Sequence, residues 1–125
     1  MTIRRFEIPV TTIADGSATV YSAYLSGYIN DIEYVKDDFA DGVDFTITAE
    51  ATGRTLWAES NVNAAVVKAP RQPTHSTAGV AALYAATGTA VNDRIALGRD
   101  RVKIVIAQGG NVTSGTFVIT VDDGR

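Results

Sequence analysis

The sequence predicts an all-β domain: an antiparallel β-sandwich or jelly-roll-like fold with one short helix in a long excursion between strands. Two observations carry that expectation. Apolar and polar residues alternate strictly in several stretches, which sets successive side chains on opposite faces of a strand. Turn pairs that tolerate positive φ, namely Asp15-Gly16, Asp41-Gly42, Thr52-Gly53 and Gly109-Gly110, cut the chain into short pieces, as in sandwiches and barrels.

Residues 3–10 read as a first strand, and residues 1–10 alternatively as an extended N-terminal arm. Pro9 ends that strand or places it at a sheet edge, because proline cannot donate to a ladder. Strands follow at 18–25 and 28–35. Over 43–50, Val43, Phe45, Ile47 and Ala49 share one face and Asp44, Thr46, Thr48 and Glu50 the other. Further strands span 54–59 and 62–68. The stretch 69–92 breaks the pattern with Pro70, Pro73, Thr74-His75-Ser76-Thr77 and an alanine-rich run to Ala86. Ser76 or Thr77 can cap a helix of two to three turns there, with Gly88 as its stop. A connection of this length usually covers an open end or touches a partner. Strands resume at 93–97 and at 101–108, where Val102, Ile104 and Ile106 oppose Arg101 and Lys103. In the last strand, 116–122, Phe117, Ile119 and Val121 face inward and Thr116, Thr120 and Asp122 outward.

At 125 residues and 46% apolar composition the chain makes one domain, 1–125, with a real core. Eleven Lys and Arg against 14 Asp and Glu give a net charge of −3, which disfavours direct nucleic-acid binding. The absence of cysteine excludes disulfides, thiol nucleophiles and thiolate metal sites. A single histidine, His75, excludes a multi-histidine centre within one chain. No apolar run follows Met1-Thr2-Ile3-Arg4-Arg5, so no signal peptide is expected, and no stretch has the length of a membrane span.

Chemical motifs are sparse. Asp37, Asp38 and Asp41 superficially suggest a calcium loop, but from Asp37 the third position is Phe39 and the twelfth Thr48, so two ligands fail. A solvated hairpin turn is the better reading, with a weak cation site the lesser one. His75 precedes Ser76, yet adjacent loop residues rarely face each other and no Gly-x-Ser-x-Gly elbow occurs. A hydrogen bond tethering the loop suits His75 better than catalysis. Gly109-Gly110 lacks the lysine and helix of a phosphate loop, and Arg94, Arg99, Arg101 and Lys103 alternate with Asp93 and Asp100. A solvated strand face or an intersubunit ion pair is expected from that group. Tyr21, Tyr24, Tyr28 and Tyr34 crowd together, and tyrosine suits both a core rim and a protein interface. Tyr21 and Tyr24 face opposite ways, so at least one meets solvent or a partner. Trp57 reads as a core or core-edge residue.

Several stretches carry a family resemblance: VDFTITAEATG at 43–53, DRIAL at 93–97, DRVKIVIAQGG at 100–110, then Gly115-Thr116-Phe117, with Gly27-Tyr28-Ile29. Across about two thirds of the chain they resemble, in strand texture and order, small β-rich proteins from the head modules of tailed bacteriophages. The resemblance implies a non-enzymatic virion component without catalytic residues or cofactors. It would be a capsid decoration (cement) protein that straddles major capsid protein subunits and associates with itself, a trimer being favoured. A neck, head-to-tail connector or tail protein forming a ring is the alternative within that class. A carbohydrate-binding sandwich that stacks sugars on an exposed Trp57 and several tyrosines, and a hydrolase built around His75, are rivals from other classes. The candidate protein interface comprises Arg4, Arg5, Phe6, Tyr21, Tyr24, His75 and Tyr84, with no metal or cofactor ligands.

Overall fold

The computed structural model describes residues 2–124. In β4 (Val43–Ala49) the alternation holds residue by residue: Val43, Phe45, Ile47 and Ala49 are buried and Thr46 is exposed. β10 (Val102–Ala107) repeats it, with Val102, Ile104 and Ile106 buried. The two strands pair antiparallel from Val102↔Ala49 to Ala107↔Asp44, so their apolar faces coincide. β2 (Ala18–Tyr21) flanks β10 and β5 (Thr55–Val62) flanks β4, completing a four-stranded sheet in the order β2-β10-β4-β5.

The second sheet is built around β11 (Ser114–Asp122), which lies between β1 (Ile3–Thr11) and β3 (Leu25–Lys36). The other edge of β3 takes β9 (Ala96–Asp100) at Leu25–Tyr28 and β6 (Val66–Lys68) at Ile32–Tyr34. β1 pairs with β11 from Ile3↔Asp122 to Thr11↔Ser114, which makes residues 3–11 a strand and not an arm; Met1 lies outside the described residues. Burial of Ile8 and Val10 supplies the reason. Pro9 stands inside β1 without ending it, tolerated because β1 is an edge strand.

The inner faces of the two sheets share one aromatic core. Phe45 meets Tyr34 at 5.4 Å and Phe117 at 5.1 Å between ring centroids, and Trp57 stands edge-on to Phe45 at 4.8 Å. Each such buried ring contributes roughly 2–3 kcal/mol of apolar transfer, plus ring-pair attraction. Phe39, in the connection after β3, packs on Tyr34 and lies so close to Gly115 that a Cβ there would stand 2.6 Å from its ring. The Tyr34 hydroxyl is enclosed without a hydrogen bond among the described residues. Burial, then the charge of Asp41, pushes its pKa up to about 12.

Three expectations need correction. First, no helix occurs among the described residues. In place of the predicted helix the excursion folds as a β-ribbon, whose base is β7 (Arg71–Pro73) paired with β8 (Asn92–Arg94). Beyond the base the chain closes two tight turns: Gly79 N–H donates to Ser76 O and Gly88 N–H to Ala85 O. Ser76 does cap, but it caps a turn, its hydroxyl accepting from Ala78 and Val80 N–H at 3.3 Å. Only a short run separates Gly79 from Gly88, too little for a helix that has no packing face to offset its nucleation cost. Second, Asp122 is buried and not outward, because it receives the guanidinium of Arg94 at 2.8 Å. Third, the strand expected over 18–25 stops at Tyr21. There Ser22 ends the ladder: its N–H still donates to Val102 O at 2.9 Å, but the returning Val102 N–H is taken at 2.8 Å by the Ser22 hydroxyl, which donates to Ala23 O at 2.7 Å.

Candidate protein-interaction surfaces

Strands β1 and β2 are the outermost members of their sheets on the same side of the molecule, and two clefts open beside them. One cleft, of about 270 Å³, is lined by Arg4, Phe6, Tyr24 and Ser26 among others. The other runs between the two edges, lined by Arg5, Phe6, Ile8, Val20 and Tyr21. Phe6 belongs to both. Five of the seven residues expected at an interface, Arg4, Arg5, Phe6, Tyr21 and Tyr24, are thus brought to one seam by the pairing of β1 with β11 and of β2 with β10.

The tyrosines there do not stand alone. The Arg101 guanidinium lies 4.0 Å from the Tyr21 ring centroid and 5.6 Å from that of Tyr24, and Arg99 lies 5.9 Å from Tyr24. Arg101 Nε also donates to Glu50 at 2.8 Å. This bond holds the Glu50 carboxyl below its ordinary range and raises Arg101 further. Tyr28 repeats the arrangement one step along, with Arg94 at 4.8 Å above its ring and Asp122 behind. That bond, followed by the Gly124 N–H, likewise lowers the Asp122 carboxyl. Three aromatic rings, 40%, 60% and 42% exposed at Tyr21, Tyr24 and Tyr28, therefore present a row of arginine-backed faces. Cation–π contact with a carboxylate behind it fixes both partners' rotamers before anything binds.

Sequence reasoning named the tyrosines but missed Arg99 and Arg101 as their partners. Their sequence neighbourhood was noted, yet only the docking of β9 against Leu25–Tyr28 and of β10 against β2 brings Arg99 and Arg101 to the rings. Positioning is backed by buried polar groups: Asp100 Oδ1 accepts from Arg101 N–H at 2.8 Å and Ala51 N–H at 3.0 Å. Of the basic group expected on a solvated strand face or in an intersubunit ion pair, Arg94 and Arg101 pair within the chain.

His75 and Tyr84 lie elsewhere, on the ribbon. His75 is exposed, its backbone bridged to Ala81, and its imidazole makes no hydrogen bond among the described residues, so the expected tether is not present. Tyr84 is 73% exposed. Trp57 is buried, as its core or core-edge reading has it, with its indole N–H donating to Glu59 at 3.1 Å; the carbohydrate reading loses its exposed tryptophan and keeps only the tyrosines. The carboxylates of the Asp37, Asp38 and Asp41 cluster are engaged by Ser114 Oγ, Ser114 N–H and Lys36. Among the described residues no group of three or more acidic or histidine side chains is placed to hold a metal ion, and no helix is long and apolar enough to cross a membrane. Neither a protein-family model nor a curated protein matches the sequence.

Proposed function

We propose that the chain is a non-enzymatic structural protein of a tailed-bacteriophage virion, a β-sandwich that decorates the capsid by lying across major capsid protein subunits. The observation that carries this reading is the seam between β1 and β2, where rigid, half-exposed tyrosines backed by arginines flank an apolar cleft. Tyrosine and arginine supply interface energy at low entropic cost, and the open strand edges beside them can accept a partner's extended segment. β1 guards its own edge with Arg5, Glu7 and Pro9, devices that discourage indiscriminate strand pairing; β2 is left as the more permissive edge. Weak single contacts suffice for such a protein, because many copies act on one shell.

The test is co-sedimentation of the purified chain with expanded, DNA-free capsid shells of tailed phages. The wild-type chain is expected to pellet with shells and the Tyr24→Ala and Arg101→Ala variants to bind at least about tenfold more weakly, the loss typical of an interface anchor. A chain that pellets with no shell overturns the decoration reading, and a closed ring that ignores shells moves the protein to the neck or tail.

A further inference from the structure

We infer that the ribbon between β7 and β8 is a self-association element, through which copies of this chain hold one another. From Gln72 to Asn92 there is no Asp, Glu, Lys or Arg, in a chain whose residues are 20% charged. The other long uncharged runs, Gly16 to Asn30 and Ile104 to Val121, pass through strands of the two sheets and contribute Leu25, Ile29, Ile104, Ile106, Phe117 and Ile119 to the core. The ribbon is different: none of its residues joins the core, and Val80, Leu83 and Tyr84 are 66%, 41% and 73% exposed. Its shape comes from backbone bonds. Thr74 N–H donates to Val91 O, Val91 N–H to Ala82 O, and Ala82 N–H to Thr74 O, all at 2.9–3.0 Å. Its base is bolted to the body by Arg71 on Asn30 O at 3.1 Å and by Arg94 on Asp122 at 2.8 Å. The apolar side chains are therefore held out in a fixed geometry and are not required by the chain's own fold.

Charge selects the occupant. Every formally charged side chain, and the whole net charge of −3, lies outside this segment. Two copies meeting through their bodies set like net charges against each other; meeting through their ribbons, they bury apolar surface without desolvating an ion. A lipid surface fits less well, since the ribbon has no basic flank of its own to draw it to anionic headgroups. The inference adds to the virion reading and stands without it.

The experiment is light scattering after size exclusion on the full chain over a concentration series, with a Leu83→Glu/Tyr84→Glu double variant and with Tyr84→Phe. The wild-type chain and Tyr84→Phe are expected to run as a discrete oligomer, and the doubly charged variant as a 13.2 kDa monomer with an unchanged β-sheet circular dichroism spectrum. A wild-type monomer at every concentration overturns the inference, as does a charged variant that assembles normally. So does a monomer that floats with neutral phosphatidylcholine vesicles, which would make the ribbon a membrane contact. An oligomer that loses assembly in the variant yet binds no shell sinks the decoration reading and leaves this one standing.

Discussion

The two-sheet body and the ribbon that leaves it at Arg71 and returns at Arg94 solve the same problem in opposite ways. In the body, backbone pairing and side-chain burial reinforce each other: Ile104 pairs with Ile47 and both are fully buried. In the ribbon, pairing proceeds with almost no burial, so hydrogen bonds and turns hold a shape whose apolar side chains face outward. Net hydrogen-bond energies are small beside the burial of large side chains. Stability therefore resides in the body, while the ribbon is shape carried at its expense.

The difference can be broken most severely from the body side. Phe117→Ala removes a ring between Tyr34 and Phe45 and is expected to cost about 3–5 kcal/mol, read from urea unfolding. A similarly large loss is expected from Gly27→Ala: Gly27 has φ +130°, and a Cβ there would stand 2.2 Å from the carbonyl oxygen of Asp122. That clash is with the backbone of the central strand and cannot be relieved by a rotamer change.

At the junction between the regions, Arg94→Ala strips the partner from the buried Asp122 and loosens the ribbon base. The melting midpoint is expected to fall by roughly 5 °C or more, with a distinctive pH dependence. Because Arg94 lowers the folded-state pKa of Asp122, the pair's contribution is present above the ordinary aspartate value and disappears as pH falls through the folded one. Wild type and variant should therefore converge in acid. Convergence at neutral pH instead would show that the pair does not anchor the ribbon.

Smaller still is Tyr34→Phe. It deletes a buried hydroxyl that has no hydrogen-bond partner among the described residues, and a change within about 1 kcal/mol of zero, on the stabilising side, is expected. The folded pKa of Tyr34 is raised to about 12 from 10.0, so the unfolded chain loses its proton first. Wild-type stability should fall between pH 10 and about 12, and the phenylalanine variant should fall less. The smallest expected effect sharpens the contrast: Tyr84→Ser, measured on dilute monomer, should change folding free energy by less than about 0.5 kcal/mol. A loss comparable to Phe117→Ala would mean that the ribbon packs on the body after all.

Legibility followed the same division. Where one face is buried, a period of two is imposed on the residues, and β4, β10 and most of β11 could be read directly. Turn chemistry was equally readable, since Gly16, Gly42, Gly53 and Gly110 all adopt positive φ. In the ribbon nothing imposes a period, and alanines between two glycines satisfy helix and hairpin rules alike. Asp122 was misplaced for a related reason. A bulge between Thr120 and Val121 shifts its register against β3, and the arginine that makes its burial tolerable arrives from β8.

Composition and alternation alone determined an all-β chain, the inward faces of its central strands, and the lack of cysteine chemistry, because these follow from residue type and local geometry. Only tertiary structure decided that residues 3–11 form an edge strand, that Arg99 and Arg101 lie over Tyr24, and that the charge-free segment stands out as a ribbon. Each of those outcomes depends on which strand lies beside which. Such pairings are set by contacts between residues far apart in sequence, as where β1 meets the end of β11 and Arg4 bonds Asp123 across 119 positions.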